Sequence, residues 1–196
     1  METNNEVPRE EAVPEKRTVA QREKKGLQIR DMLLIGILLA SGAVLKFFVG
    51  AVINFGMKPN FIIAMYCLAI LLIKPRLVEA AIIGLLAGAV CQFFPGQPYI
   101  NIASELVGAA AMCLLTRIPL EKIKVPVIPI LGTFLSTLVS GFSFIGIMYL
   151  LYYARPGLIV NPTPLVAFMA IIFGTATINA IIVQVLYIPL KLALKK

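Results

Sequence analysis

The sequence predicts an all-α integral membrane protein with six transmembrane helices, and three observations predict it. First, 59% of the 196 residues are hydrophobic and only 14% are charged, whereas about a quarter of a soluble domain is charged. Second, the polar residues are concentrated before residue 31, and beyond it long apolar runs alternate with short polar turns. Third, these runs lack the strict alternation of apolar and polar residues that a transmembrane β-strand shows. The runs must therefore be helices, in which the backbone N–H and C=O groups are hydrogen-bonded within the segment.

The chain is predicted to have two parts, a tail at residues 1–30 and a membrane domain at residues 31–196. The tail mixes six glutamates with seven basic residues, and such a composition buries too little apolar surface to fold alone. It also lacks the early apolar stretch and cleavage site of a signal peptide. We therefore expect a charged, largely disordered cytoplasmic tail.

Six apolar runs define the predicted helices, because a spanning helix needs about 20 predominantly apolar residues. The second run is short and is expected to extend into its flanks, whereas the last two exceed the required length and are expected to tilt or kink. In chain order the runs are residues 32–49, 60–73, 77–94, 100–115, 127–153 and 165–190.

Loop charge predicts a multi-pass protein of the cytoplasmic membrane with both termini in the cytoplasm. In that orientation fifteen lysines and arginines lie inside, and three, Lys46, Lys58 and Arg155, lie outside. Basic loops remain on the cytoplasmic side. The net charge of +8 is thus explained by orientation in the bilayer, and no nucleic-acid partner is expected, since no single soluble face is basic.

The residue types argue against an enzyme and against a bound cofactor or metal. The chain has no histidine, which removes most metal sites and proton relays. It has neither a GxSxG elbow nor a Walker A sequence. Three cysteines, Cys67, Cys91 and Cys113, lie inside apolar runs and are interpreted as small buried side chains.

Two charged residues are candidates for binding. Glu105 lies well inside a predicted helix, where an ionisable residue is a functional candidate because its burial is unfavourable, and Asn101 shares its helix face. Lys58 precedes Pro59, which suits the first turn of a helix, so the lysine would stand at an N-terminus that favours anions. Glu105 could instead be hydrated near the interface or pair with Lys46 or Lys58, and Lys58 could be an interfacial lysine that extends to water.

Small residues on helix 1 mark a face on which another helix could dock. Gly36 and Ala40 are four residues apart and Ala43 continues the stripe, while Gly84 and Gly88 have the same spacing in helix 3. Small side chains allow close approach of membrane helices. This pattern is common, and packing within the chain would explain it equally well.

Taken together, these features resemble the substrate-binding S components of energy-coupling factor (ECF) transporters, and among them the tryptophan-transporter-like family. The resemblance covers residues 31–194 and rests on four pieces of sequence. They are the small-residue motif of helix 1, GAVL at residues 42–45, GMKP at residues 56–59, and FPGQ at residues 94–97 followed by Asn101. This chain departs from the family pattern at two places. It has Asn60 where the family has an aspartate, and it has Ser104 and Glu105 where the family has an Asp-Lys pair.

The resemblance implies a membrane subunit that captures a solute for import, tryptophan or a related aromatic amino acid or small metabolite. It implies a T component and two cytoplasmic ATPase subunits as partners, the lipid bilayer as surroundings, and no cofactor. Substrate-binding residues are expected at Lys58, Asn60, Gln97, Asn101 and Glu105, and partner-docking residues at Gly36, Ala40 and Ala43. Two alternatives stay open: an ion-coupled transporter that works alone, and an accessory membrane subunit.

Overall fold

The structure is a computed structural model that describes residues 26–52, 59–95, 99–118, 127–155, 157 and 164–194. Within these residues the chain forms six α-helices and no strand. They are α1 (Ile29–Val52), α2 (Ile62–Ile73), α3 (Leu77–Cys91), α4 (Ile100–Leu115), α5 (Val127–Ala154) and α6 (Leu165–Leu194). Each predicted run corresponds to one helix, so the predicted all-α membrane fold is confirmed. Most of the predicted tail, residues 1–25, lies outside the described residues.

The helices of the described residues fall into two length classes. α1, α5 and α6 have 24, 28 and 30 residues and contain stretches long and apolar enough to cross a membrane. α2, α3 and α4 have 12, 15 and 16 residues, fewer than the about 20 that span a bilayer. Non-helical backbone at membrane depth is tolerated where protein surrounds it, and α2, which is almost entirely buried, meets that condition.

α2 is the central helix, and it packs against all five others. All its residues except Leu72 are buried, which explains why this helix is apolar on every side rather than amphipathic. It ends at Lys74, whose left-handed backbone (φ 52°) terminates the helix. Pro75 follows, and a proline commonly stands just beyond a helix end because it cannot continue the helix.

Two glycines bring α3 close to α4. A Cβ atom on Gly84 would lie 2.6 Å from the carbonyl oxygen of Glu105, and one on Gly88 would lie 2.5 Å from the Cα atom of Ile102. No larger residue fits at either position without moving backbone. The Gly84-xxx-Gly88 motif is therefore an internal contact, and it sets the position of the helix that carries Glu105.

Both ends of the described chain lie at one end of the bundle, here called the near end. The Nη2 atom of Arg30 donates a hydrogen bond of 3.2 Å to the carbonyl oxygen of Leu194. At the opposite end, the far end, α1, α3 and α5 finish and α2, α4 and α6 begin. Loop charge predicts that the near end is cytoplasmic, and that orientation stays a prediction.

Candidate functional site

A cavity of about 50 Å³ lies between α2, α4, α5 and α6, toward the far end of the bundle. It has both polar and apolar walls, as small-molecule sites generally do. The polar lining residues are Asn60, Asn101, Ser104, Glu105, Thr137, Ser140 and Thr175, and the apolar ones are Ile63, Gly141, Phe144, Ile171 and Ile172. The cavity is thus suited to a molecule that has a polar and an apolar part.

Glu105 is the acidic residue of this cavity. The side chain is 1% exposed, so it is not a hydrated residue at the interface. Its Oε1 atom accepts a hydrogen bond from Nδ2 of Asn60, and its Oε2 atom accepts one of 3.1 Å from Oγ of Ser140. Among the described residues, no lysine or arginine lies within ion-pair distance of this carboxylate.

Asn60 connects the start of α2 with the rest of the site. Its Nδ2 atom, which donates to Glu105, also lies 3.6 Å from Sγ of Cys91 in α3. Its backbone carbonyl oxygen accepts a hydrogen bond of 3.1 Å from Nδ2 of Asn179 in α6. Contacts from α3, α4 and α6 therefore hold this one residue at the cavity wall.

The structure brings together three of the five predicted substrate-binding residues. Asn60, Asn101 and Glu105 line the same cavity. Asn101 lies one turn before Glu105 on α4, as the helical spacing predicted. Lys58 and Gln97, the other two, lie outside the described residues.

α5 contributes several hydroxyl groups to the interior of the bundle. Thr133, Ser136, Thr137 and Ser140 are all buried. Ser136 donates a hydrogen bond of 2.9 Å to the carbonyl oxygen of Gly108, and Thr137 donates one of 2.8 Å to that of Thr133. These two bonds fit a packing role, whereas Ser140 bonds to Glu105 and belongs to the site.

Lys46 is a second buried charge, and sequence reasoning gave it no binding role. It is 6% exposed, its Nζ atom donates a hydrogen bond of 3.4 Å to Sγ of Cys91, and the same atom lies 5.1 Å from the ring centroid of Phe94. The side chain lies on the face of α1 that packs against α2. Lys46 follows Gly42 by four residues and shares its helix face, and a Cβ atom on Gly42 would lie 3.0 Å from Cα of Ile62 in α2.

The opposite face of α1 carries the predicted docking residues. A Cβ atom on Gly36 would meet no atom within 4 Å, and Ala40 is exposed beside it, while Ala43 is half-buried. The neighbouring Ile37 is 64% exposed. Gly36 and Ala40 are therefore not packed inside this chain, and their face of α1 is open to another helix.

The described residues form six apolar helices, and four of them surround a cavity with a buried acidic residue. This arrangement is typical of the class of helical membrane proteins that bind a solute. A family model described as "Tryptophan transporter TrpP" matches residues 28–195, and the chain belongs to this family. The predicted membership of the tryptophan-transporter-like family is thereby confirmed. A curated relative, the "Probable tryptophan transport protein" of Clostridium acetobutylicum, is 28% identical over 172 residues, which cover 86% of this chain and 96% of the relative. No solved structure matches the chain.

Proposed function

We propose that this protein is a membrane subunit that binds tryptophan, or a closely related aromatic amino acid, for import. Membership of a tryptophan transporter family supports the proposal, as does the relative named for tryptophan transport. The single observation that carries it is the cavity in which a buried carboxylate, Glu105, adjoins apolar walls.

The two kinds of wall suit the two parts of an aromatic amino acid. Glu105 receives the ammonium group, because it is the acidic residue buried at the cavity. A hydrogen bond between a charged donor and a carboxylate is stronger than one between neutral groups. Asn60, Asn101 and Ser140 add neutral polar groups around it. Phe144 and Ile172 offer apolar surface for an aromatic ring, which gains most from burial against such side chains.

The cavity must enlarge to hold such a solute. About 50 Å³ is room for only a few water molecules and is well below the roughly 300 Å³ at which ligand pockets begin. Gly141 and Ile172 mark a place where movement of one side chain would create space. A Cβ atom on Gly141 would lie 2.9 Å from side-chain carbons of Ile172, so this isoleucine fills the space over the glycine. Solute binding is proposed to move Ile172 away from Gly141.

We further propose that the chain works as the S component of an ECF importer in the plasma membrane of a prokaryote, with both termini in the cytoplasm. A T component and two cytoplasmic ATPase subunits are its proposed partners, and the chain itself is proposed not to be an enzyme. The open face at Gly36 and Ala40 supports a partner helix there, because small residues permit close helix contact in membranes.

Reconstitution tests this function. Purified full-length protein is titrated calorimetrically with each of the common L-amino acids, and L-tryptophan is expected to bind most tightly. The protein is then placed in liposomes and uptake of labelled tryptophan is followed with and without the T component and ATPases. Uptake that requires the partners and ATP supports an S component. Uptake by the chain alone, driven by an ion gradient, would show a self-sufficient carrier instead.

A further inference from the structure

Two charged side chains are buried among the described residues, and they have opposite signs. They are Lys46 of α1 and Glu105 of α4. A buried charge is unfavourable unless a counter-charge or hydrogen bonds compensate it. The proposed function uses Glu105 and leaves Lys46 without a role. Arg155, a basic residue that also lies at the far end, is exposed, so Lys46 is the buried cation of this region.

Lys46 is only partly compensated by its neighbours. Its Nζ atom contacts Sγ of Cys91 and the ring of Phe94, and no carboxylate of the described residues lies within ion-pair distance of it. A thiol sulfur is a weak acceptor, and a ring face attracts an ammonium group less strongly than an anion does. Lys46 is therefore able to bind one further anionic group.

Lys46 and Glu105 are linked through two intervening side chains. The Sγ atom of Cys91 contacts Nζ of Lys46 and also lies 3.6 Å from Nδ2 of Asn60, which in turn donates to Glu105. Asn60 lines the cavity, whereas Lys46 does not. Movement of the Asn60 side chain would therefore extend the cavity toward Lys46.

We propose that Lys46 binds the carboxylate of the amino acid whose ammonium group binds Glu105, and that the side chain of Asn60 moves aside when the solute binds. This inference rests on the proposed function. An amino acid carries both charged groups on one carbon, so its site needs a cation and an anion that lie close together without touching. Lys46 and Glu105 meet this requirement because Cys91 and Asn60 hold them apart. Lys46 and Glu105 attract each other across Cys91 and Asn60 without touching. The bound solute brings a charged group into direct contact with each of them, and the net charge of the site is unchanged.

Two ligands separate carboxylate binding from a general effect on the site. L-tryptophan carries ammonium, carboxylate and ring, whereas L-tryptophanamide keeps the ammonium and the ring and lacks the carboxylate. Calorimetric titration of the full-length protein compares both ligands on the parent, on Lys46→Met and on Lys46→Arg. Lys191→Met is the matched control, because Nζ of Lys191 also lies over a ring, 5.3 Å from the centroid of Tyr187, but on the exposed near end of α6.

Lys46→Met is expected to weaken L-tryptophan binding by about tenfold or more and L-tryptophanamide binding by less than about threefold. Lys46→Arg should retain most of the affinity for tryptophan, and Lys191→Met should bind both ligands like the parent. If the methionine variant does not fold, Lys46→Gln, which keeps a polar side chain, is titrated in its place with the same expected outcomes.

Three results would overturn the inference while leaving the proposed function intact. Equal losses for both ligands in Lys46→Met would show that the lysine only supports the structure, and unchanged affinities would show that it makes no contact. A selective loss for tryptophan in Lys58→Met, with none in Lys46→Met, would assign the carboxylate to Lys58. A parent protein that binds no tryptophan would instead overturn the proposed function, and the inference with it.

Discussion

The side chains of Asn60 and Glu105, 45 residues apart in the chain, share a hydrogen bond that joins the start of α2 to α4 at the wall of the cavity. Glu105 also bonds to Ser140 of α5, so one buried carboxylate ties three parts of the bundle together. A ligand ammonium group that binds this carboxylate must compete with these two donors or rearrange them. Solute binding at Glu105 is thus coupled to the packing of α2, α4 and α5.

Glu105→Gln is expected to weaken tryptophan binding by at least about tenfold, or about 1.4 kcal/mol, because the neutral amide leaves the ammonium group without a charged partner in a buried site. Calorimetry with indole-3-propionate, which has no ammonium group, should show a smaller change. Glu79→Gln is the matched control. Glu79 caps the first turn of α3 at the near end, and glutamine serves equally well in a capping box. Equal binding of tryptophan by Glu105→Gln and the parent would exclude the ammonium contact.

Much of the fold follows from the sequence because lipid leaves few alternatives. Apolar runs separated by short polar turns can only become helices when every backbone group must be paired within the chain, and all six runs are helices in the structure. Glu105 could also be predicted, since an acidic residue inside an apolar run is unusual enough to indicate a site. The length of the apolar runs predicts the six helices, and the position of one acidic residue within a run predicts Glu105 as a candidate.

Lys46 and the central place of α2 could not be predicted in the same way. α1 carries apolar residues on every side, so its sequence does not indicate which face turns inward. The burial of Lys46 depends on Cys91 at the end of α3 and on Phe94 in the turn after it, both much further along the chain. The role of Ser140 could not be predicted for a second reason. Small polar residues occur both at helix–helix contacts and in binding sites, and a sequence does not distinguish the two roles.

Gly88→Ala is expected to destabilise the protein by about 1–3 kcal/mol, because its Cβ atom would meet the backbone of α4 at Ile102 and Asn101, which cannot yield as a flexible side chain would. Thermal unfolding in detergent should show a lower midpoint than in the parent. Gly146→Ala is the control, since a Cβ atom there meets nothing within 4 Å. Equal midpoints for the two variants would contradict the close α3–α4 contact.

Gly36→Trp and Ala40→Trp are expected to block assembly with a partner helix while leaving tryptophan binding by the isolated chain unchanged. The reason is that this face of α1 is open and turned away from α2, whereas the cavity lies between other helices. Co-purification with the T component measures assembly, and calorimetry measures binding. Gly174→Trp, on an open position of α6, is the control that should still assemble. Loss of tryptophan binding in the two α1 variants would show instead that this face supports the fold of the chain.

Gly141→Ala is expected to weaken tryptophan binding by about tenfold, because the added methyl group takes the space into which the cavity must enlarge. A Cβ atom at residue 141 would lie 2.9 Å from side-chain carbons of Ile172. A smaller side chain at residue 172 would relieve this crowding. Ile172→Ala in the same chain should therefore restore most of the affinity. The four proteins, which are the parent, the two single variants and the double variant, form a double-mutant cycle measured by calorimetry, and the two effects should be clearly non-additive. Additive losses would mean that Gly141 and Ile172 act separately, and that the cavity enlarges elsewhere.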